Sequence, residues 1–194
     1  MIDPKNITNF NRTEAELQEF LLFCIVVAGK NSHQQAAKLD EFLKGLERDY
    51  QEGTPFGNLR RLSGISIEDR LKRVKMGQYT RISNAFYAVA YWKHLGCKEV
   101  VDLECVKGIG PKTARFFVLH SRPNQRIAVL DTHILKWLRK LNVCDITIPK
   151  STPSGRKYLQ LENLFLDLAE NEGLTPAELD LQIWKSGIKT PKSA

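Results

Sequence analysis

Val106-Lys107-Gly108-Ile109-Gly110-Pro111-Lys112-Thr113-Ala114 is followed, 19 positions after Lys112, by Asp131 in Val129-Leu130-Asp131-Thr132-His133. Two glycines around one apolar residue let a backbone turn sharply and approach a ligand closely. Their N–H groups, beside a helix N-terminus opened by Pro111, can hold a phosphate oxygen, and Lys107 adds charge there. Ile109 would anchor the turn in the core. Lys112 offers an amine nucleophile, and Asp131 a carboxylate that can accept its proton or stabilise positive charge. The same residues admit simpler roles: Lys112 as a phosphate contact, Asp131 as the N-cap of a helix over Thr132–Leu141.

Charge placement favours a polyanionic partner. The chain carries +7 overall, and the segment from Lys107 to Lys140 holds eight Lys/Arg against one acid, Asp131. Phe56 to Arg81 adds seven bases and two acids, whereas residues 1–55 hold six bases and nine acids. One-sided charge of this kind suits nucleic acid, although a solvated basic surface has the same composition.

The elements that must position these groups read as helices joined by short turns. Thr13 can cap a helix carrying Leu17, Phe20, Leu21 and Cys24, with Gly29 placed to end it. Ser32 starts a second helix toward Gly45, and Thr54-Pro55, Thr152-Pro153 and Thr175-Pro176 announce three more. The spacing of Ala85, Val89 and Trp92 predicts one long helix from Arg81 to Leu95, most of its aromatics in the core. Ile127 to Leu130 reads as a short extended connection, and no segment shows strand alternation with a hairpin turn. The expected class is all-α.

At 194 residues the chain suffices for one core or two small lobes. No apolar run approaches the ~18 residues of a membrane span, and no basic-then-apolar secretory signal is visible. Cys24, Cys97, Cys105 and Cys144 form no CxxC pair. A disulfide framework, a structural zinc site and an iron–sulfur loop are therefore not expected, and the thiols read as buried or incidental.

The hairpin VKGIGPKTA followed by LDTH resembles the helix-hairpin-helix DNA glycosylases, the superfamily of endonuclease III and the 8-oxoguanine DNA glycosylases. Their hairpin reads LPGVGxKTA followed by VDTH. The resemblance is close over residues 100–140 and looser across nearly the whole chain. It implies a two-lobed all-α fold, with a helical barrel over residues 30–132 and a second lobe of residues 1–29 plus 133–194, DNA lying between them. It implies that Lys112 attacks the sugar C1′ as in bifunctional members, forming a Schiff base that nicks by β-elimination, with assistance from Asp131. Lys107, Gly108, Ile109 and Gly110 become the DNA phosphate-binding hairpin, where relatives also place a monovalent cation. No other metal or cofactor is expected. The implied partner is double-stranded DNA with a damaged or modified base, met by a monomer inside the cell, on the nucleoid or in a nucleus.

Such an enzyme must extrude its target nucleotide. The turn Gly29-Lys30-Asn31-Ser32 resembles the superfamily's wedge, with Asn31 first choice and Lys30 second; an ordinary helix–helix turn has the same residues. Arg60, Arg61, Lys75 and Arg81 are candidate DNA-backbone contacts. Leu179-Asp180-Leu181-Gln182-Ile183-Trp184 resembles the end of compact archaeal-type 8-oxoguanine glycosylases, implying that Asp180 reads the base and Trp184 stacks on it. Their i,i+4 spacing puts both on one helical face, as would a core-packed final helix. Those relatives end in a lysine whose terminal carboxylate contacts the lesion, whereas this sequence ends Thr190-Pro191-Lys192-Ser193-Ala194. An oxidised-pyrimidine glycosylase and a non-catalytic helix-hairpin-helix protein remain alternatives.

Overall fold

The computed structural model describes residues 2–141 and 147–186, so Cys144 and the C-terminal Thr190–Ala194 lie outside the described residues. Ten α-helices and one 3₁₀ turn make up the described regular structure: α1 Glu14–Val27, α2 Ser32–Tyr50, α3 Pro55–Arg60, α4 Gly64–Arg73, α5 Tyr79–Val89, the 3₁₀ turn Leu95–Cys97, α6 Val100–Glu104, α7 Pro111–Ser121, α8 Thr132–Leu141, α9 Gly155–Asn171 and α10 Pro176–Lys185. None is long and apolar enough to cross a membrane among the described residues.

Local chemistry explains most boundaries. Thr13 and Glu16 form a capping box that opens α1, and Thr175 with Glu178 does the same for α10. Pro55, Pro111 and Pro176 each stand at a helix start, where the missing N–H has no intrahelical acceptor to lose. The expected helix over Arg81–Leu95 ends early, at Val89. His94 takes a left-handed conformation (φ 54°), and the N–H of Leu95 donates to the Glu14 carboxylate, a partner 81 positions away. Of the aromatics in that stretch, Phe86 is buried but Tyr87 and Tyr91 are exposed. Thr152 does not cap α9: its hydroxyl donates to the Leu130 carbonyl at 2.8 Å, and Ser154 precedes the helix instead.

Two apolar clusters organise the packing. The larger runs from Ile7 through α1–α7, with Phe20, Phe23, Phe56, Phe86 and Phe117 almost fully buried. The smaller joins Leu130 and α8 to Tyr158, Leu161 and Phe165 of α9 and to Leu179 and Ile183 of α10. Leu119, Val129 and Ala177 form a patch between them. Helix α1 packs with α2, α3, α5 and α7, and its buried residues belong to the larger cluster, against which Leu181 of α10 also packs. The cause is its composition: Leu17, Gln18 and all of Phe20–Val26 are buried, and a helix apolar on every side needs neighbours all round.

Candidate active site

The Gly108-Ile109-Gly110 turn joins α6 to α7, and its shape is fixed from within the protein. The Ile109 N–H donates to the Val106 carbonyl at 3.0 Å, and the Ile109 side chain is buried. Gly108 has φ +101°, and a Cβ there would lie 2.8 Å from the Arg81 carbonyl oxygen, so both conformation and space demand glycine. The Arg81 guanidinium donates to the Gly108 carbonyl at 2.7 Å, to the Ile25 carbonyl at 2.8 Å and to Gln78 Oε1 at 2.7 Å. Arg81, expected as a DNA contact, therefore ties the hairpin to the last turn of α1.

Gly110 begins α7 with no side-chain cap, and a Cβ there would meet nothing within 4 Å. Lys107 is exposed beside it. Other bases of the segment are engaged: Arg115 pairs with Glu104 and Glu162, Arg122 with Glu99, and Arg126 with Glu170. Arg60 donates to the Ala90 carbonyl, Arg61 pairs with Glu52, and the Lys75 carbonyl accepts from Lys38.

Lys112 stands in the first turn of α7 and Asp131 at the N-terminus of α8. The Nζ lies 3.5 Å from Asp131 Oδ2, with the lysine side chain 33% and the aspartate side chain 14% exposed. The two carboxylate oxygens have separate partners. Oδ1 accepts from the backbone N–H groups of His133 (2.8 Å) and Ile134 (3.0 Å), which makes Asp131 the cap of α8. Oδ2 faces the amine. Capping and proton transfer are therefore compatible in one side chain.

Both groups line a cavity of about 640 Å³ that also takes in Lys30, Asn31, His33, Phe116, His133, Asp180 and Trp184. Residues far apart in sequence converge here: the turn after α1, the first turn of α7, the start of α8 and one face of α10. Asn31 Oδ1 accepts from the Gln34 N–H as the N-cap of α2, and Lys30 Nζ donates to the Met76 carbonyl at 3.2 Å. The Trp184 ring lies 6.5 Å from that of His33 across the cavity wall. The hairpin glycines are not part of this lining.

Asp180 is 6% exposed, and its Oδ2 lies 3.1 Å from Nε2 of His120, which has no exposed surface. Sequence reasoning missed His120, because nothing local marks a histidine whose partner is 60 positions away. Burial pushes the Asp180 carboxyl above its ordinary value of 3.8, against the opposing hydrogen bond from His120. A raised folded-state value means that the folded protein binds this proton more tightly than the unfolded chain. The contribution of this group to stability therefore falls as pH rises from 3.8 through the raised value. Asp180→Asn, which removes the charge, is expected to melt no lower than the parent at neutral pH. Thermal melts at neutral pH check this, and a clear loss of stability would show that the ionised carboxylate supports the fold.

Comparison with known proteins accords with this geometry. Residues 3–174 match the helix-hairpin-helix family model described as 8-oxoguanine DNA glycosylase. The 8-oxoguanine DNA glycosylase/AP lyase of Methanocaldococcus jannaschii is 31% identical over 186 residues, covering 90% of this chain and 81% of that protein. The crystal structure of the M. jannaschii 8-oxoguanine glycosylase/lyase with a 15mer DNA containing 8-oxoguanine superposes with a TM-score of 0.71 at 28% identity, over 94% of this chain and 87% of that one. The 8-oxoguanine DNA glycosylase of Thermotoga maritima shares the fold, with a TM-score of 0.68 at 20% identity, over 95% of this chain and 86% of that one. A hairpin held for close approach, a lysine beside a helix-capping aspartate and a match across most of the chain agree: this protein belongs to the helix-hairpin-helix 8-oxoguanine DNA glycosylase family.

Proposed function

We propose that this protein is a bifunctional DNA glycosylase/AP lyase of base excision repair that removes 8-oxoguanine from double-stranded DNA inside the cell. The observation that carries the reading is the Lys112 Nζ, 3.5 Å from Asp131 Oδ2, in the wall of a cavity that also holds Asp180 and Trp184. Lys112 donates its electron pair to C1′ of the extruded nucleotide. The C1′–N9 bond breaks, and the base leaves with that bond pair and takes up a proton. Asp131 Oδ2 accepts the proton that the amine gives up and offsets positive charge building on the sugar. The nitrogen lone pair then opens the C1′–O4′ bond, O4′ taking up a proton; the resulting C1′ iminium acidifies C2′–H, loss of that proton expels the 3′ phosphate by β-elimination, and water later hydrolyses the imine to free Lys112.

The other groups handle the DNA. Extrusion costs a few kcal/mol in lost pairing and stacking. Asn31 and Lys30 fill the space left behind, Asn31 presenting its amide nitrogen while its oxygen caps α2. Asp180 accepts hydrogen bonds from the N–H groups of the guanine edge and Trp184 stacks on the purine. Trp184→Ala is expected to lose stacking of about 1–3 kcal/mol, and Asp180→Asn to weaken base reading, both leaving Lys112 able to nick a preformed abasic site. Single-turnover release of 8-oxoguanine measures this. Normal excision by both variants removes them from base recognition.

Lys107 and the Gly108–Gly110 turn hold the phosphate backbone, so affinity should fall steeply with salt as counterions are released. Gly110→Val is expected to melt near the parent, its Cβ meeting no neighbour, yet to bind DNA more weakly because the added side chain blocks backbone approach. Gly108→Ala should instead lose about 1–2 kcal/mol of stability from its left-handed φ alone. Melts beside fluorescence-anisotropy titrations separate the two, and a flat salt dependence would take the basic segment away from DNA. The deciding experiment is a panel of lesion duplexes assayed for base release and nicking. Preference for thymine glycol assigns the enzyme to oxidised pyrimidines, and binding without nicking makes it a non-catalytic DNA-binding protein.

A further inference from the structure

His120 has no exposed surface and no place in the glycosylase chemistry, yet both of its ring nitrogens are engaged. Nε2 lies 3.1 Å from Asp180 Oδ2, and Nδ1 lies 2.8 Å from Thr8 Oγ1 in the segment before α1. The backbone carbonyl of the same histidine accepts from the Asn9 N–H at 3.2 Å and from Arg12 Nη1 at 2.9 Å. Arg12 also donates to the carbonyls of Asn9 and Ile7, and its guanidinium lies 4.0 Å above the Phe20 ring. Residues 4–12 are thus strapped across the end of α7. Pro4 and Ile7 of that strap line the same cavity as Asp180 and Trp184.

We infer that residues 4–12 form part of the base-reading pocket, and that Thr8 and His120 are positioning residues that orient the Asp180 carboxylate toward the extruded base. The inference rests on the proposed role of Asp180. With Asp180 ionised, His120 donates from Nε2 and accepts at Nδ1 from the Thr8 hydroxyl, so a single tautomer satisfies every atom of the chain. One carboxylate oxygen is then fixed and the other is left for the base. Without Thr8 the buried Nδ1 loses its donor and the ring loses the contact that fixes its orientation; without the imidazole, a buried carboxylate loses its donor, and an unpaired buried acceptor must find another conformation or proton.

This arrangement separates base reading from strand cleavage, because neither Thr8 nor His120 is hydrogen-bonded to Lys112 or Asp131. The test is single-turnover release of 8-oxoguanine from a duplex, measured beside β-elimination at a preformed abasic site and beside thermal melting. Thr8→Val is expected to slow base release about threefold to tenfold, the effect of one hydrogen bond, and His120→Phe about tenfold to a hundredfold, the effect of removing a donor to a charged group. Both should leave β-elimination within about twofold of the parent, and Thr8→Ser should restore base release. Thr8→Val decides the matter if His120→Phe does not fold. Unchanged base release in Thr8→Val, or an equal loss in both steps, overturns the inference. A parent enzyme that releases no 8-oxoguanine overturns the proposed substrate and the positioning role with it, whereas a competent parent with unimpaired variants overturns the positioning role alone.

Discussion

Lys112→Gln is expected to reduce borohydride trapping on a lesion duplex to background while duplex binding is retained. The trapped species forms only when an amine has replaced the base at C1′ and the iminium is reduced to a stable secondary amine. Glutamine keeps the length and polarity of the side chain but has no nucleophilic nitrogen. Because the Lys112 side chain is one-third exposed and its ion pair is long at 3.5 Å, its loss should change stability little. Gel-resolved trapping beside anisotropy gives both readouts. An undiminished adduct in this variant would move the nucleophile to another amine, and loss of binding together with trapping would make Lys112 a phosphate contact.

Asp131→Asn should slow single-turnover base release by about 10²–10⁴-fold, the range typical of a positioned acid or base. The structure separates this effect from unfolding. Asp131 Oδ1 serves the N–H groups of His133 and Ile134 as the cap of α8, and asparagine caps a helix about as well as aspartate. Its carbonyl oxygen can take the same two hydrogen bonds and turn an uncharged amide toward Lys112. Melting should therefore stay close to the parent, within about 1 kcal/mol, while the rate collapses. Near-parental base release would leave Asp131 with capping alone.

What the sequence made legible is what depends on near neighbours. The Gly108–Gly110 turn, Pro111 at the start of α7, the Asp131 cap and the i,i+4 pair on α10 each follow from residues within a few positions, and the structure places them in those local geometries. The meeting of α1's end, α7, α8 and α10 around one cavity came instead from the resemblance, since spacing does not give tertiary distance. Three features escaped because their causes are distant. Arg81 carries the charge of a DNA contact, but its partners are carbonyls 27 and 56 positions away. His120 binds residues 60 and 112 positions away. Helix α5 has the pattern to continue beyond Val89, yet a carboxylate from the first turn of α1 claims the Leu95 N–H. Helix α1 was legible as a helix but not in its neighbours: a segment apolar on every side does not say which helices will surround it.

The Arg81 staple bears on how fast this protein can sample DNA. Loops that become ordered only when they meet a phosphate surrender conformational entropy at every encounter, and that cost slows productive association or weakens the complex. Here the turn is already built: Gly108 is held by its carbonyl, Ile109 is sunk in the core, and the turn before α7 is tied to α1 through a single guanidinium. Ordering of the hairpin is completed during folding, once per molecule, rather than once per collision. With the hairpin in its proposed role as the phosphate grip, an enzyme that must inspect long stretches of undamaged duplex for a rare lesion carries that grip ready-made and can release and re-engage without refolding it.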